Sequence, residues 1–120
     1  MRPVVESDRV LLLHIQECIE RIQEYTREGR EAFLGTRMVQ DAVVRNLQTL
    51  AESTQRLSLG LKDREPRVPW RAIAGFRNVL VHGYLGVDPM MVWSVVEGDL
   101  PGLAEAVERL QATLGGGSES

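Results

Sequence analysis

Apolar residues recur at spacings of three and four along the start of the chain, where Leu11, Ile15, Cys18, Ile22 and Tyr25 fall on one stripe. That stripe predicts an amphipathic helix over about 7–27, with Ser7 as its N-cap and Gly29 as a stop beyond it. Val39, Val43, Leu47, Leu50 and Leu57 continue the pattern, predicting a second long helix from near Thr36 to a stop at Gly60. A polar, proline-containing connection follows over 62–69, and Pro69 stands where a helix begins without wasting a backbone donor. The third helix, over 70–82, is apolar nearly all round apart from Arg71, Arg77 and Asn78, so it is expected to be the most buried; Gly83 and Gly86 end it. Asp88 as N-cap and Pro89 in the first turn open a short fourth helix through Trp93 to Glu97, closed by Gly98. Pro101 opens a fifth, in which Leu103, Val107, Leu110 and Leu114 keep a helical repeat. Residues 115–120 read as a flexible Gly/Ser tail. The pattern predicts one all-α domain over 1–114, an antiparallel bundle of two long helices packed against shorter ones.

Composition narrows the functional classes. At 120 residues the chain is long enough for a real core but short for a core plus an elaborate enclosed pocket. Aromatic residues make up only 5%, and the β-branched residues do not alternate, which favours helices over strands. The net charge of -3 argues against coating nucleic acid by bulk electrostatics, so any such contact needs a local patch. One patch lies over 62–77, where Lys62, Arg64, Arg67, Arg71 and Arg77 outnumber Asp63 and Glu65; a merely solvated loop is the competing reading. The single cysteine, Cys18, excludes an internal disulfide and a multi-cysteine metal site, and its place among apolar residues reads as a buried structural thiol. With no apolar run after a basic start and no stretch of membrane-spanning length, no membrane role and a cytoplasmic location are expected.

Most of the chemistry is concentrated in Arg77-Asn78-Val79-Leu80-Val81-His82-Gly83-Tyr84. A permanent cation, an imidazole and a phenol stand there near the close of an apolar helix. Asn78 and His82, four apart, share a helix face, so Asn78 is placed to bond one ring nitrogen and leave the other free for proton transfer. Arg77 and His82 lie five apart, about 140° around a helix, and flank a wide groove. A purely structural reading stays open: Arg77 pairs with a carboxylate, for which Glu52 is the evident partner, and His82 caps carbonyls and answers the helix dipole.

The spacing of arginine, four residues, histidine, one residue and tyrosine resembles the signature of the HEPN superfamily, in its HepT-like branch of prokaryotic toxin ribonucleases. The resemblance extends through Asp41-Ala42-Val43-Val44-Arg45-Asn46-Leu47 and Leu50-Ala51-Glu52-Ser53, where Ala51 and Ser53 replace the usual Gly and Ala around the glutamate. It continues through Val68-Pro69-Trp70, Ile73, Gly75-Phe76-Arg77-Asn78, His82-Gly83-Tyr84, Val87-Asp88 and Val92-Trp93, covering most of 8–114. It implies a HEPN-type bundle that dimerises, and a metal-independent endoribonuclease whose cleft forms where two copies of the motif meet. Arg77 and His82 are then the catalytic pair, with Asn78 and Glu52 orienting them. Tyr84 is the residue to which a MntA-type minimal nucleotidyltransferase antitoxin adds AMP units as an off-switch. The implied substrate is RNA, with transfer RNA the type that the family suggests, and no cofactor or metal is implied. The rival readings are a catalytically idle module that binds nucleotide or serves as the accessory subunit of a nucleotidyltransferase, and a plain helical dimerisation domain.

Other residues carry the bland reading. His14 lies off the main stripe of its helix and is expected at the surface; Trp70 and Trp93 are expected to pack, and Tyr25 to join the core. Met90 and Met91 pad the core or an interface.

Overall fold

The computed structural model describes residues 4–82 and 87–119, and among them every regular element is helical. In chain order these are α1 (Val4–Tyr25), α2 (Arg30–Gly35), α3 (Arg37–Arg56), α4 (Leu59–Lys62), α5 (Trp70–His82), α6 (Pro89–Ser94), a π-helical turn (Val95–Asp99) and α7 (Leu100–Glu119). No helix among the described residues is long and apolar enough to cross a membrane.

The stripes seen in the sequence become the core. Leu12, Ile15, Cys18, Ile19 and Ile22 of α1 are buried against Val43, Leu47 and Leu50 of α3 and against Leu103, Val107 and Leu110 of α7. Polar clasps at the helix ends fix the directions. Asp8, near the start of α1, is buried, and its two carboxylate oxygens accept from Ser58 N (2.9 Å) and Ser58 Oγ (2.6 Å), just past the end of α3. The two long helices therefore run antiparallel. Gln111 Nε2 donates to Gln16 Oε1 at 2.8 Å, and Arg9 donates to the Leu114 carbonyl at 3.0 Å, so α7 is antiparallel to α1 in turn.

Several boundaries depart from expectation. The connection between α1 and α3 is itself helical: α2 swings Phe33 inward, and Gln40 Nε2 donates to the Phe33 and Leu34 carbonyls, both at 3.0 Å, satisfying orphans of its last turn. Gly29, with φ +96°, makes the bend before it, a conformation open to glycine and strained for other residues. The second long helix stops at Arg56, short of Gly60, because Leu57 turns extended and Ser58 caps the separate α4 by accepting from Leu61 N. Tyr25, the last residue of α1, is 39% exposed and does not join the core.

Gly98 and Pro101 do not interrupt the helical backbone. It passes from α6 through the π turn into α7, with Leu100 N–H bonding Val95 O five residues back. Pro101 has no N–H to offer, and a widened turn just before it is a known way for a helix to accommodate that lapse. The helix then continues to Glu119.

The third predicted helix matches α5 in its limits, yet it is the least covered of the longer ones. Leu80 alone is fully buried, while Val79 is 49% exposed. The reason is one-sided packing: α5 lies along α3, and between it and α7 opens a groove of about 710 Å³ floored by Leu47, Leu50, Ile73, Phe76, Leu100 and Leu103.

Candidate functional site

Three side chains of α3, spaced at helical intervals, tie α5 down. Gln48 Nε2 donates to the Leu80 carbonyl at 3.2 Å, Glu52 accepts from Arg77, and Gln55 Nε2 donates to the Ala74 carbonyl at 3.4 Å. Positions rising along α3 meet positions falling along α5, so the ladder fixes an antiparallel register. It works because residues three and four apart on a helix share one face.

The middle rung holds the motif arginine. Arg77 Nη2 lies 2.8 Å and Nε 3.3 Å from the same oxygen, Glu52 Oε2. An arginine carries five N–H donors. Two are committed here, and a weak third contact runs from Nη1 to Asn78 Oδ1 at 3.4 Å. The outer Nη1–Nη2 edge keeps donors to spare. With side chains 31% and 51% exposed, the pair is wet at one side and contributes roughly 0.2–1 kcal/mol of stability. It orients the guanidinium more than it supports the fold.

His82 closes α5 and is exposed. Five residues beyond Arg77, it looks away from α3 on the face shared with Asn78 and with exposed Val79. Asn78 spends its carbonyl on Arg77, and no hydrogen bond joins it to His82 among the described residues. The structure thus brings Arg77, Glu52 and Asn78 into one network, with His82 outside it on the neighbouring face. Tyr84 lies outside the described residues.

Two hollows flank the Arg77–Glu52 pair. One, of about 550 Å³, lies between α1, α3 and α5 and is lined by His14, Thr49, Glu52, Arg56 and Arg77, with Val10 and Leu11 on its apolar side. The other, of about 870 Å³, follows α3 from Glu52 past Gln48 and Arg45 to Arg37. His14, expected at the surface, is half-buried and lines the first. Its neighbours in sequence gave no signal, because the meeting depends on how α1 crosses α3.

The tryptophans pack, as expected. Trp70 Nε1 donates to the Lys62 and Glu65 carbonyls, both at 3.1 Å, and Trp93 leans on Phe33 at 5.5 Å between ring centroids. Within the basic stretch over 62–77, Arg64, Arg67 and Arg71 are exposed, whereas Glu65 is drawn to Arg109 of α7 at 2.8 and 3.0 Å. That guanidinium holds the Glu65 carboxyl below its ordinary range. Cys18 is buried, and burial pushes its thiol up, which suppresses the reactive thiolate. No group of three or more His, Cys, Asp or Glu converges in metal-binding fashion among the described residues.

Known proteins are similar in sequence to this chain over most of its length. A family model described as "Ribonuclease HepT-like" matches residues 15–110. Over 106 residues the chain is 38% identical to a probable ribonuclease HepT of Thermococcus cleftensis, covering 88% of this chain and 96% of that one. A putative RNase of Caldanaerobacter subterraneus subsp. tengcongensis is 30% identical over 107 residues, with 88% and 96% covered. A gamma-glutamylcyclotransferase and putative RNase of Methanocaldococcus jannaschii is 34% identical over 107 residues, where the alignment takes in 88% of this chain but 48% of that longer protein. No solved structure matches the chain.

Proposed function

Because the chain belongs to the HepT-like ribonuclease family, we propose that it is an endoribonuclease in which Arg77 and His82 act on the scissile phosphodiester of RNA. The observation that carries this reading is the Arg77 guanidinium, oriented by Glu52 yet with donors left over, five residues from an exposed imidazole.

RNA brings its own nucleophile, so the protein need supply a base, an acid and charge stabilisation, and no metal is required by this route. One motif histidine per chain points to a homodimer in which two His82 side chains flank one phosphate. Exposed Val79, on the same face of α5, offers an apolar contact for that pairing. His82 of one copy removes the 2′-hydroxyl proton as the 2′ oxygen attacks phosphorus. The bond to the 5′ oxygen breaks, and the second copy's His82 delivers a proton to that leaving oxygen. Arg77 binds the non-bridging oxygens as negative charge builds on them, a task suited to its planar fork. The products are a 2′,3′-cyclic phosphate and a 5′-hydroxyl.

In this reading the enzyme is the toxin of a toxin–antitoxin pair, silenced when a nucleotidyltransferase antitoxin adds AMP to Tyr84. The support is chemical: Tyr84 follows His82 by two residues, and an attached phosphodiester anion there would compete with RNA for Arg77.

End-group analysis of RNA digested in EDTA tests the chemistry. Cyclic phosphates and 5′-hydroxyls are expected, with cleavage lost in Arg77→Ala; 3′-hydroxyl and 5′-phosphate ends, or activity that vanishes with EDTA, would contradict it. Intact mass after coexpression with a minimal nucleotidyltransferase should show AMP increments that Tyr84→Phe removes. Increments persisting in that variant would dismiss the site.

A further inference from the structure

We propose that the hollow between α1, α3 and α5 is a second phosphate-binding subsite, in which His14 and Arg56 hold the RNA backbone one linkage away from the bond that is cut. The inference rests on the reading of Arg77 as the group that grips the scissile phosphate.

Three observations carry it. First, the hollow is continuous with the site, because Arg77 and Glu52 both line it. A strand held by Arg77 must therefore run on past it, and this hollow is one of two directions open. Second, its charge suits an anion. Glu52 is the one acidic side chain lining it and is already satisfied by Arg77, while Arg56 joins no ion pair among the described residues. His14, from α1, adds an imidazole to the lining, while the Thr49 hydroxyl is turned away from the role, its proton going to the Arg45 carbonyl at 3.1 Å. Arg56 also stands in the last turn of α3, where it answers the helix dipole, but that role does not require an imidazole lining the same hollow. Third, the size and polarity fit a nucleotide: about 550 Å³, cationic on the α3 side, with Val10 and Leu11 on the α1 side for a base or ribose to lie against.

The other hollow, along α3 toward Arg37, is less suited to the role. Asp41 sits between its two arginines and offsets their field.

The test is binding of a fluorescent single-stranded oligonucleotide, fully 2′-O-methylated so that it cannot be cut, to the full-length protein across a salt series. The wild type should bind. Arg56→Gln and His14→Leu should each weaken binding about tenfold, the size of one charge-assisted contact. Arg56→Gln should also flatten the slope of log affinity against log salt by about 0.7, as expected for one phosphate contact to a single strand. His14→Gln, which keeps a donor, should recover most of the affinity. With cleavable RNA the loss should fall more on KM than on kcat. Arg56 is exposed, so its substitution leaves the core untouched. Unchanged affinity and slope in Arg56→Gln and His14→Leu would overturn the subsite, as would a wild type that does not bind, or displacement of the oligonucleotide by equimolar AMP. If the wild type binds and loses affinity in these variants yet cuts no RNA, the cleavage reading fails while the subsite stands.

Discussion

Arg77 and Glu52 meet through a single oxygen: Nη2 and Nε both point at Oε2, at 2.8 and 3.3 Å. The contact is made through the Nε–Nη2 edge, which leaves the Nη1–Nη2 edge facing away from the carboxylate. Apart from the weak Nη1 contact to Asn78, that edge is available to the oxygens of a phosphate. Removing the negative partner should let the guanidinium swing. Glu52→Gln is expected to lower kcat about ten- to a hundredfold by misplacing Arg77, while thermal stability moves little, as befits a half-exposed pair. Comparing kcat with melting temperature in the variant checks this.

Gln48 ties the end of α5 to α3 through the Leu80 carbonyl, two residues before His82. Gln48→Leu should cost about 1 kcal/mol in denaturant unfolding, the value of one part-buried hydrogen bond. Amide exchange at Val81 and His82 should quicken more than at Ile73, since the loss lies at one end of the helix.

Leu80 and Val79 are neighbours in sequence with opposite surroundings, one buried on α3 and the other 49% exposed. Leu80→Ala should destabilise by about 2–5 kcal/mol. Val79→Asp should leave the monomer's unfolding nearly unchanged but weaken self-association, read by sedimentation or light scattering. A Val79→Asp protein that remains as strongly associated as the wild type would remove the outer face of α5 from the dimer contact.

Glu65 and Arg109 bridge the loop before α5 to α7, and the guanidinium lowers the folded-state pKa of the carboxyl. A depressed carboxyl stabilises the fold above its unfolded value, near 4.5, and that contribution is lost as pH falls through the lower folded value. The melting-temperature difference between wild type and Glu65→Gln should therefore be constant above pH 5 and shrink below about 4.5. A gap that widens on acidification would reverse the sign.

How much of this was legible in the sequence follows from which interactions are local. The stripes of α1 and α3, the limits of α5 and the Asp88 cap, whose carboxylate accepts from Met90 N at 3.0 Å, are set by neighbours within a turn or two. They were readable. The pairing of Glu52 with Arg77 was also anticipated, from chemistry more than geometry. The burial of α5 is not legible, because apolar composition does not tell whether a neighbour exists to cover each side. The π turn escaped because Gly98 and Pro101 are ordinary breakers, and only the continuation of α6 into α7 shows them absorbed. His14 escaped for the same reason as the ladder from Gln48 to Gln55: both depend on helix crossings that no single stretch encodes. Tyr84 lies outside the described residues, so its surroundings add nothing to the sequence reading.

The most direct measurement is single-turnover cleavage of a structured RNA by wild type and His82→Ala, with helicity and association state recorded on the same samples. The imidazole is exposed, so its removal should leave fold and assembly intact while cleavage drops below detection. Cleavage by the properly folded His82→Ala protein at a rate near that of the wild type would contradict the account.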